Sequence, residues 1–424
     1  MPLFTPDQWS YSTPMQTTIT EQSRELPISG DYDVVVAGGG IAGVAAALAA
    51  ARAGASVCLL EKACALGGLA TIGNIIVYLP LCDGLGHQVS GGICEELLKL
   101  SVSDITEPLP NLHIKPIPEA WQKGGNLEER RNVRYRANYN PITFSYKLER
   151  LLLKNKVKIF FDSRFCTVIK EQNRIVAVVI ENQDGRTALR CQAVVDASGS
   201  ADVCYQAGEK TVSLSSNVLC GWFYYVENGE VRLCTMTKSL DMNGRRNPAA
   251  GRNYRGDRSS EVNDFLLNSR KMMMDTMAQR SQENNSQIYP ILAPQMPSFR
   301  MIRRLAGRHT LRESDDRRWF EDTLGMTGDW RLSGPVYCLP LSILAGVRNH
   351  NLITAGRCIS SAGRAWDVTR VIPTCAVSGE AAGAAAAFLA LDKLPSFQDL
   401  DCRSLQTYLR RRRVIIDRKR LQNI

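Results

Sequence analysis

The first thirty positions mix Thr, Ser, Gln and Pro with scattered apolar residues and show little periodicity. They read as a loose leader, residues 1–30. At Asp33 the pattern changes. Val34, Val35 and Val36 form a solid apolar run, Gly38, Gly39 and Gly40 interrupt it, and an Ala-rich segment continues to Ala51. The 18 residues from Val34 to Ala51 contain only apolar residues and glycine, which matches a membrane span in length alone. Three consecutive glycines would break such a helix, and the rest is mostly Ala. A buried strand, a glycine turn and a helix account for every residue instead. Val57 to Leu60 then form a second short apolar run that ends in Glu61.

Further along, residues 90–100 have helical spacing, and 101–140 are rich in Pro, Asn and charge, as in a long excursion. A helical pattern over Tyr146 to Leu153 leads to three short apolar segments, at 157–161, 165–169 and 175–181, with a turn at Asp184-Gly185. These predict a small meander. Residues 193–199 (AVVDASG) read as another buried strand returning to the main sheet. From about 205 to 335 the pattern is mixed: strands near 218–235, a basic loop at 244–258 and a Met-rich helix near 262–280. This is a second lobe. The first lobe resumes with NLITAGRCIS at 351–360 and a closing Ala-rich helix at 371–391, where Gly379 and Gly383 permit close backbone approach.

The composition narrows the class. The 424 residues are 44% apolar and 22% charged, enough for a large core. Thirteen cysteines include no C-x-x-C pair, and the leader lacks a secretory pattern, so reduced thiols in a cytoplasmic setting are expected. The net charge of +10 is unevenly placed. Eight Arg or Lys follow residue 402, among them Arg410 to Arg413, against Asp417 alone, and the rest is nearly balanced. The basic stretch predicts the solvated face of a terminal helix. Its alternative is contact with RNA, an acidic partner or a membrane surface.

The opening unit carries specific chemistry. Gly38, Gly40 and Gly43 occupy the G-x-G-x-x-G positions, for a tight turn, for approach of a pyrophosphate and for close helix packing respectively. The helix N-terminus offers unpaired N–H groups and a positive dipole end to an anion. Glu61, 18 residues past Gly43, stands near the roughly 20-residue spacing at which an acid takes a ribose hydroxyl. A dinucleotide is predicted. This unit alone leaves NAD and FAD both open.

Five later elements follow in order: Leu66 to Thr71 (LGGLAT), Asp196 to Gly199 (DASG), Arg312 to Ser314 (RES), Ala355 to Arg357 (AGR) and Pro373 to Cys375 (PTC). In this order the chain resembles the FAD-dependent oxidoreductases of the two-dinucleotide-fold type, a group that includes succinate dehydrogenase and fumarate reductase flavoproteins. The resemblance spans about 31–205 and 295–395. It implies FAD and an α/β fold: a Rossmann-like FAD-binding domain with a β-meander (31–205 and 335–395), an inserted α+β substrate or cap domain (206–334) and a basic C-terminal helix or tail (396–424).

It also implies site residues. Gly38, Gly40, Ile41, Ala42 and Gly43 hold the diphosphate end with Ala197, Ser198 and Gly199, and Glu61 and Lys62 take the ribose side. Gly67, Gly68 and Ala70 pass the pyrophosphate, and the Phe165 backbone reads the adenine edge. Gly356 follows, and Arg357, which departs from the Gly-Asp of many flavoprotein hydroxylases, would act as a cation toward phosphate or substrate. Thr374 and Cys375 begin a helix whose positive end favours reduced flavin, and Pro373 suits such a start.

The position of the cysteines sets a disulfide reductase aside, because Ala70 and Ile75 stand where its two redox cysteines belong. Gly84 and Gly86 lack a third glycine and a preceding buried strand, so no dedicated NAD(P)H domain is expected. Hydride exchange between flavin N5 and a small, anionic organic substrate is the leading expectation, with His309, Arg312, Glu313 and Arg370 as catalytic candidates and Tyr78 as a further one. Arg300, Arg303, Arg304, Arg308 and Arg312 are dense enough to clamp a carboxylate. No His/Cys/Asp grouping has metal-ligand spacing. Two alternatives stand beside this reading: an NAD-linked dehydrogenase, and a non-catalytic or RNA-associated flavoprotein using the basic tail.

Overall fold

A run of β-branched residues with no polar interruption favours a strand buried on both faces, and β1 (Ile28–Ala37) is one, with Val34, Val35 and Val36 fully buried. The computed structural model describes residue 18 and residues 21–237 and 251–422. Strand β1 begins three residues inside the expected leader, because Ile28 and Gly30 already pair with Ala188 and Leu189. It turns at the glycines into α1 (Ile41–Arg52), and β2 (Val57–Leu60) lies parallel to it with Val35 opposite Cys58. The membrane-span pattern at 34–51 is therefore a strand, a turn and a buried helix.

A two-stranded ladder of β3 (Val77–Tyr78) and β4 (Ala137–Asn138) frames the excursion, which carries α2 (Ile93–Ser101) and α3 (Leu127–Asn132). Then α4 (Pro141–Lys154), started by Asn140 accepting the Ile142 and Thr143 amides, leads into β5 (Lys158–Phe160) beside β2. The meander is β6 (Arg164–Glu171), β7 (Arg174–Asn182) and β8 (Gly185–Asp196). The strand expected at 193–199 is the far half of β8, which starts at the Asp184-Gly185 turn and runs back parallel to β1.

The second lobe holds α5 (Asp202–Gln206), β9 (Thr211–Ser213), β10 (Ser215–Asn217), β11 (Cys220–Glu227), β12 (Glu230–Thr237) and β13 (Tyr254–Arg255). It continues with α6 (Ser259–Asn284), β14 (Ile288–Leu292) and β15 (Arg303–Leu305). Strands β12, β11 and β14 form an antiparallel sheet. Phe265, Ser269, Met273 and Met277, spaced by four, make the buried stripe of α6. Of the expected basic loop at 244–258, residues up to 250 lie outside the described residues.

The chain returns earlier than expected. The hairpin β16 (Thr323–Gly328) and β17 (Val336–Pro340) belongs with the first lobe, because a Cβ on Gly325 would stand 2.4 Å from Val377 of the closing helix. Next, β18 (Leu352–Thr354) pairs with the C-terminal half of β8, completing a seven-stranded sheet of order β5-β2-β1-β8-β7-β6 with β18 off that path. After α7 (Gly363–Thr369), α8 (Ile372–Leu391) packs on α1 with no room for a side chain at its two glycines. A Cβ on Gly379 would meet the Ala42 carbonyl oxygen at 2.2 Å, and one on Gly383 the Ala46 oxygen at 2.0 Å. By length and composition α8 could cross a membrane, but 89% of its apolar window is buried inside the fold.

Glu380 on α8 reaches α2, whose Ile93 amide donates to Glu380 Oε2 at 2.7 Å. Finally α9 (Cys402–Arg411) presents Arg410 and Arg411 to solvent and buries Leu405 and Leu409. The segment after it is docked. Val414 and Ile416 are buried, and Arg412 donates to the Arg52 carbonyl at 3.1 Å.

Candidate functional site

The C-terminal ends of β1, β2 and β8 open on a cleft of about 790 Å³, within the usual range for ligand sites. Its glycines divide their tasks visibly. Gly38 has φ +108°, and a Cβ there would lie 2.5 Å from the Ala197 oxygen. At Gly43 a Cβ would stand 1.8 Å from the Gly38 oxygen, so this glycine serves packing and does not line the cleft. Gly40 is different. Its φ of −66° suits any residue, and nothing lies within 4 Å of the Cβ it lacks. Neither backbone nor packing asks for glycine at position 40, so the open space belongs to whatever the cleft holds.

Glu61 closes the turn from the far side. Its Oε2 accepts the Gly39 amide at 2.7 Å and its Oε1 the Ala63 amide at 2.8 Å, which fixes the carboxylate at the cleft wall. Asp196 does the same for the next turn. Its Oδ1 accepts the Ser198 hydroxyl at 2.7 Å and its Oδ2 the Cys204 amide at 2.9 Å, and burial holds its carboxyl above the usual range. The DASG acid is thus a brace behind Ser198 and Gly199, which line the cleft with Ala197.

Opposite them stands Arg357. Its side chain is half-buried, donates to the Phe299 carbonyl and crowds Gly199, where a Cβ would lie 2.5 Å from Nη2. Burial holds this guanidinium below its usual range, and among the described residues no carboxylate pairs with it. A half-buried guanidinium beside the Gly199 turn and the open space at Gly40 is chemistry that could hold an anionic group.

The cleft also collects Ile41, Ala42, Lys62, Gly67, Gly68, Ala70, Gly356, Arg370 and Cys375. Cys375 lies in the first turn of α8, its thiol donates to the Arg370 carbonyl at 3.2 Å, and burial pushes it up to about 11. Two expected residues are placed otherwise. Thr374 turns inward, bonding Thr327 at 2.8 Å and the Val368 oxygen at 3.0 Å, and so anchors the helix start. Phe165 lies in an adjoining pocket behind Glu61 and Lys62.

Of the catalytic candidates only Arg370 lines the cleft. His309 bonds Asp315 at 2.9 Å and packs on Phe320, while Glu313 accepts the Arg364 amide at 2.9 Å near the start of α7. Arg312 starts the same short turn, its amide bonded to Asp315 Oδ2 at 3.0 Å. Within the RES segment, Glu313 thus caps the start of α7. Tyr78 is fully buried and donates to the Cys94 carbonyl at 2.7 Å. Sequence reasoning missed two groups that do line the cleft: Asp162, Arg164 and Glu181 at the meander ends, and Gln295 to Pro297, Phe299 and Ile302 from the second lobe. Gln295 ties the lobes together, since its amide donates to the Ile72 carbonyl at 2.8 Å.

Comparison with known proteins gives a family and several similar chains. The family described as FAD dependent oxidoreductase matches residues 33–214 and 273–409. A thioredoxin reductase from Ureaplasma parvum serovar 3 (strain ATCC 700970) is 36% identical over 84 residues, 20% of this chain and 27% of the reductase. CabE, an aromatic hydroxylase from angucycline biosynthesis, aligns with TM-score 0.43 and 14% identity over 90% of this chain and 66% of its own. A geranylgeranyl bacteriochlorophyll reductase-like protein from Thermoplasma acidophilum aligns with TM-score 0.40 and 16% identity over 90% and 83%. The chain thus spans less than two thirds of the thioredoxin reductase and of the hydroxylase.

Proposed function

Because the chain belongs to the FAD-dependent oxidoreductase family, with FAD as its cofactor, we propose that it transfers a hydride between flavin N5 and a small organic substrate in this cleft. Gly38, Gly40, Ser198, Gly199 and Arg357 would hold the diphosphate, Glu61 the ribose, and the start of α8 the reactive end. Bound FAD supplies hydride acceptance or donation. The NAD-linked alternative loses its basis with that assignment.

The supporting observation is the make-up of the cleft around the start of α8. Second-lobe residues Met296, Pro297, Phe299 and Ile302 meet Ile372, Cys375 and Arg370 there, while the carboxylates that line the cleft stand at strand ends: Glu61 after β2, Asp162 after β5 and Glu181 near the end of β7. The apolar wall excludes water from the reacting atoms, and the positive end of α8 stabilises negative charge on an acceptor. Cys375 is the one cysteine in the lining, so no dithiol relay is available among the described residues. Arg370 is the charged side chain placed to position a substrate. All thirteen cysteines are free thiols, which supports a reducing, cytoplasmic setting.

An anaerobic screen tests this reading. The flavin band is bleached with a chemical reductant or a candidate substrate and its return is followed with candidate acceptors. Bleaching or recovery without oxygen supports direct hydride exchange. Recovery only with oxygen, together with a hydroxylated product, replaces it with a monooxygenase.

A further inference from the structure

Asp367 on α7 stands among three arginines. Arg331, in the β16–β17 loop, reaches its Oδ2 at 2.6 Å, and the Arg370 Nε donates to its Oδ1 at 2.8 Å. The third is Arg300, which comes from the second lobe. Its Nη2 donates to the Thr237 hydroxyl at 2.9 Å, and among the described residues it forms no salt bridge. Burial, and next the charge of Arg370, hold the Arg300 guanidinium below its usual range. Two cations therefore share one carboxylate, and Arg300 of the second lobe stands near enough for the charge of Arg370 to act on it.

Such an excess is costly unless an anion enters, because buried like charges repel with little screening. The arrangement also has an entrance. Arg370 lines the cleft beside Cys375, at the start of α8. Asp367 takes one fork of Arg370 and of Arg331, which fixes both planar groups and leaves their remaining N–H donors for an oxyanion.

We infer that Arg370, with Arg331 and Arg300 behind it, seats an oxyanion of the substrate, a carboxylate or a phosphate ester, and so orients the substrate on the flavin. This rests on the hydride-transfer reading of the same cleft. It reassigns the carboxylate clamp from the run Arg303 to Arg312, where Arg303 pairs with Asp202 at 2.7 Å and Arg304 lies over Trp366.

The test uses full-length, flavin-loaded protein titrated with malonate, inorganic phosphate and neutral malonamide, read by the visible flavin spectrum and by the melting temperature. Malonate or phosphate should perturb the spectrum and raise the melting temperature, and malonamide should do neither; the tighter of the two anions identifies the source chemistry. Arg370→Gln and Arg331→Gln should weaken anion binding at least tenfold, with partial rescue in Arg370→Lys. Asp367→Asn, which removes the competing carboxylate, should tighten it several-fold, an outcome that a merely structural role would not give. An equal response to malonamide, or an unchanged response in Arg370→Gln, overturns the inference. Repeating the melts without flavin keeps the two readings apart: if anaerobic hydride exchange fails while the anion response persists, the function falls and the anion site stands.

Discussion

Glu61 Oε2 and the Gly39 amide lie 2.7 Å apart, so the acid that ends β2 holds the glycine turn that ends β1. In the proposed function the same carboxylate would have a second duty, to the ribose of the cofactor. Glu61→Gln keeps an acceptor for Gly39 and should leave the cofactor-free protein within about 1 kcal/mol of wild type, while Glu61→Ala strands a buried amide and should lose about 1–3 kcal/mol. Both should release flavin. Urea melts of the cofactor-free proteins, set beside flavin retention on a desalting column, check the separation.

The two glycines at positions 40 and 43 should fail in opposite ways. Gly40→Ala enters open space and should leave the cofactor-free melt within about 1 kcal/mol of wild type while abolishing flavin binding. Gly43→Ala drives a Cβ into the Gly38 carbonyl and should yield insoluble or grossly destabilised protein. If Gly40→Ala still bound flavin normally, the diphosphate would have to lie elsewhere.

Arg357 carries a charge that the cofactor-free protein does not compensate. Arg357→Met should accordingly make that form no less stable, and even more stable by about 1 kcal/mol, while weakening flavin binding at least tenfold. Calorimetric titration of both proteins with FAD at two salt concentrations measures this, and the wild type should show the steeper salt dependence.

Glu380 links stability to pH. Burial first raises its carboxyl to about 8, so the folded protein keeps a proton that the unfolded chain, with an ordinary glutamate near 4.5, releases. Stability from this group is full below about pH 4.5, falls as pH rises through the window up to about 8, and is flat beyond. Glu380→Gln should match wild type at pH 4 and exceed it by up to about 5 kcal/mol at pH 8.5. Parallel denaturant melts at the two pH values decide it.

The parts of the site that were readable in the sequence are those whose cause is local. Gly38, Gly43 and Glu61 sit in one strand-turn-helix-strand unit, where spacing alone places them. Arg370 was legible because it falls next to the start of the closing helix. The Arg-Glu-Ser segment lies off the cleft lining for a physical reason: Glu313 accepts the Arg364 amide at the start of α7 and Asp315 the Arg312 amide, and composition cannot tell a cap from a clamp. Phe299 and Gln295 left no sequence signal, since they reach the cleft only when the second lobe folds back over Ile72. The domain edge near 334 shifted for a similar reason. The β16–β17 hairpin looks like any other short strand pair until it is packed against α8.

The tight seam between α1 and α8 also has a consequence for synthesis. Residues 41–52 leave the ribosome early, yet the surface that covers Ala42 and Ala46 is encoded more than 330 residues later. Until α8 emerges, the nascent glycine turn has a bare apolar flank and a cradle whose opposite half does not exist. The cradle proposed for the cofactor is therefore complete only once α8 has emerged and packed on α1.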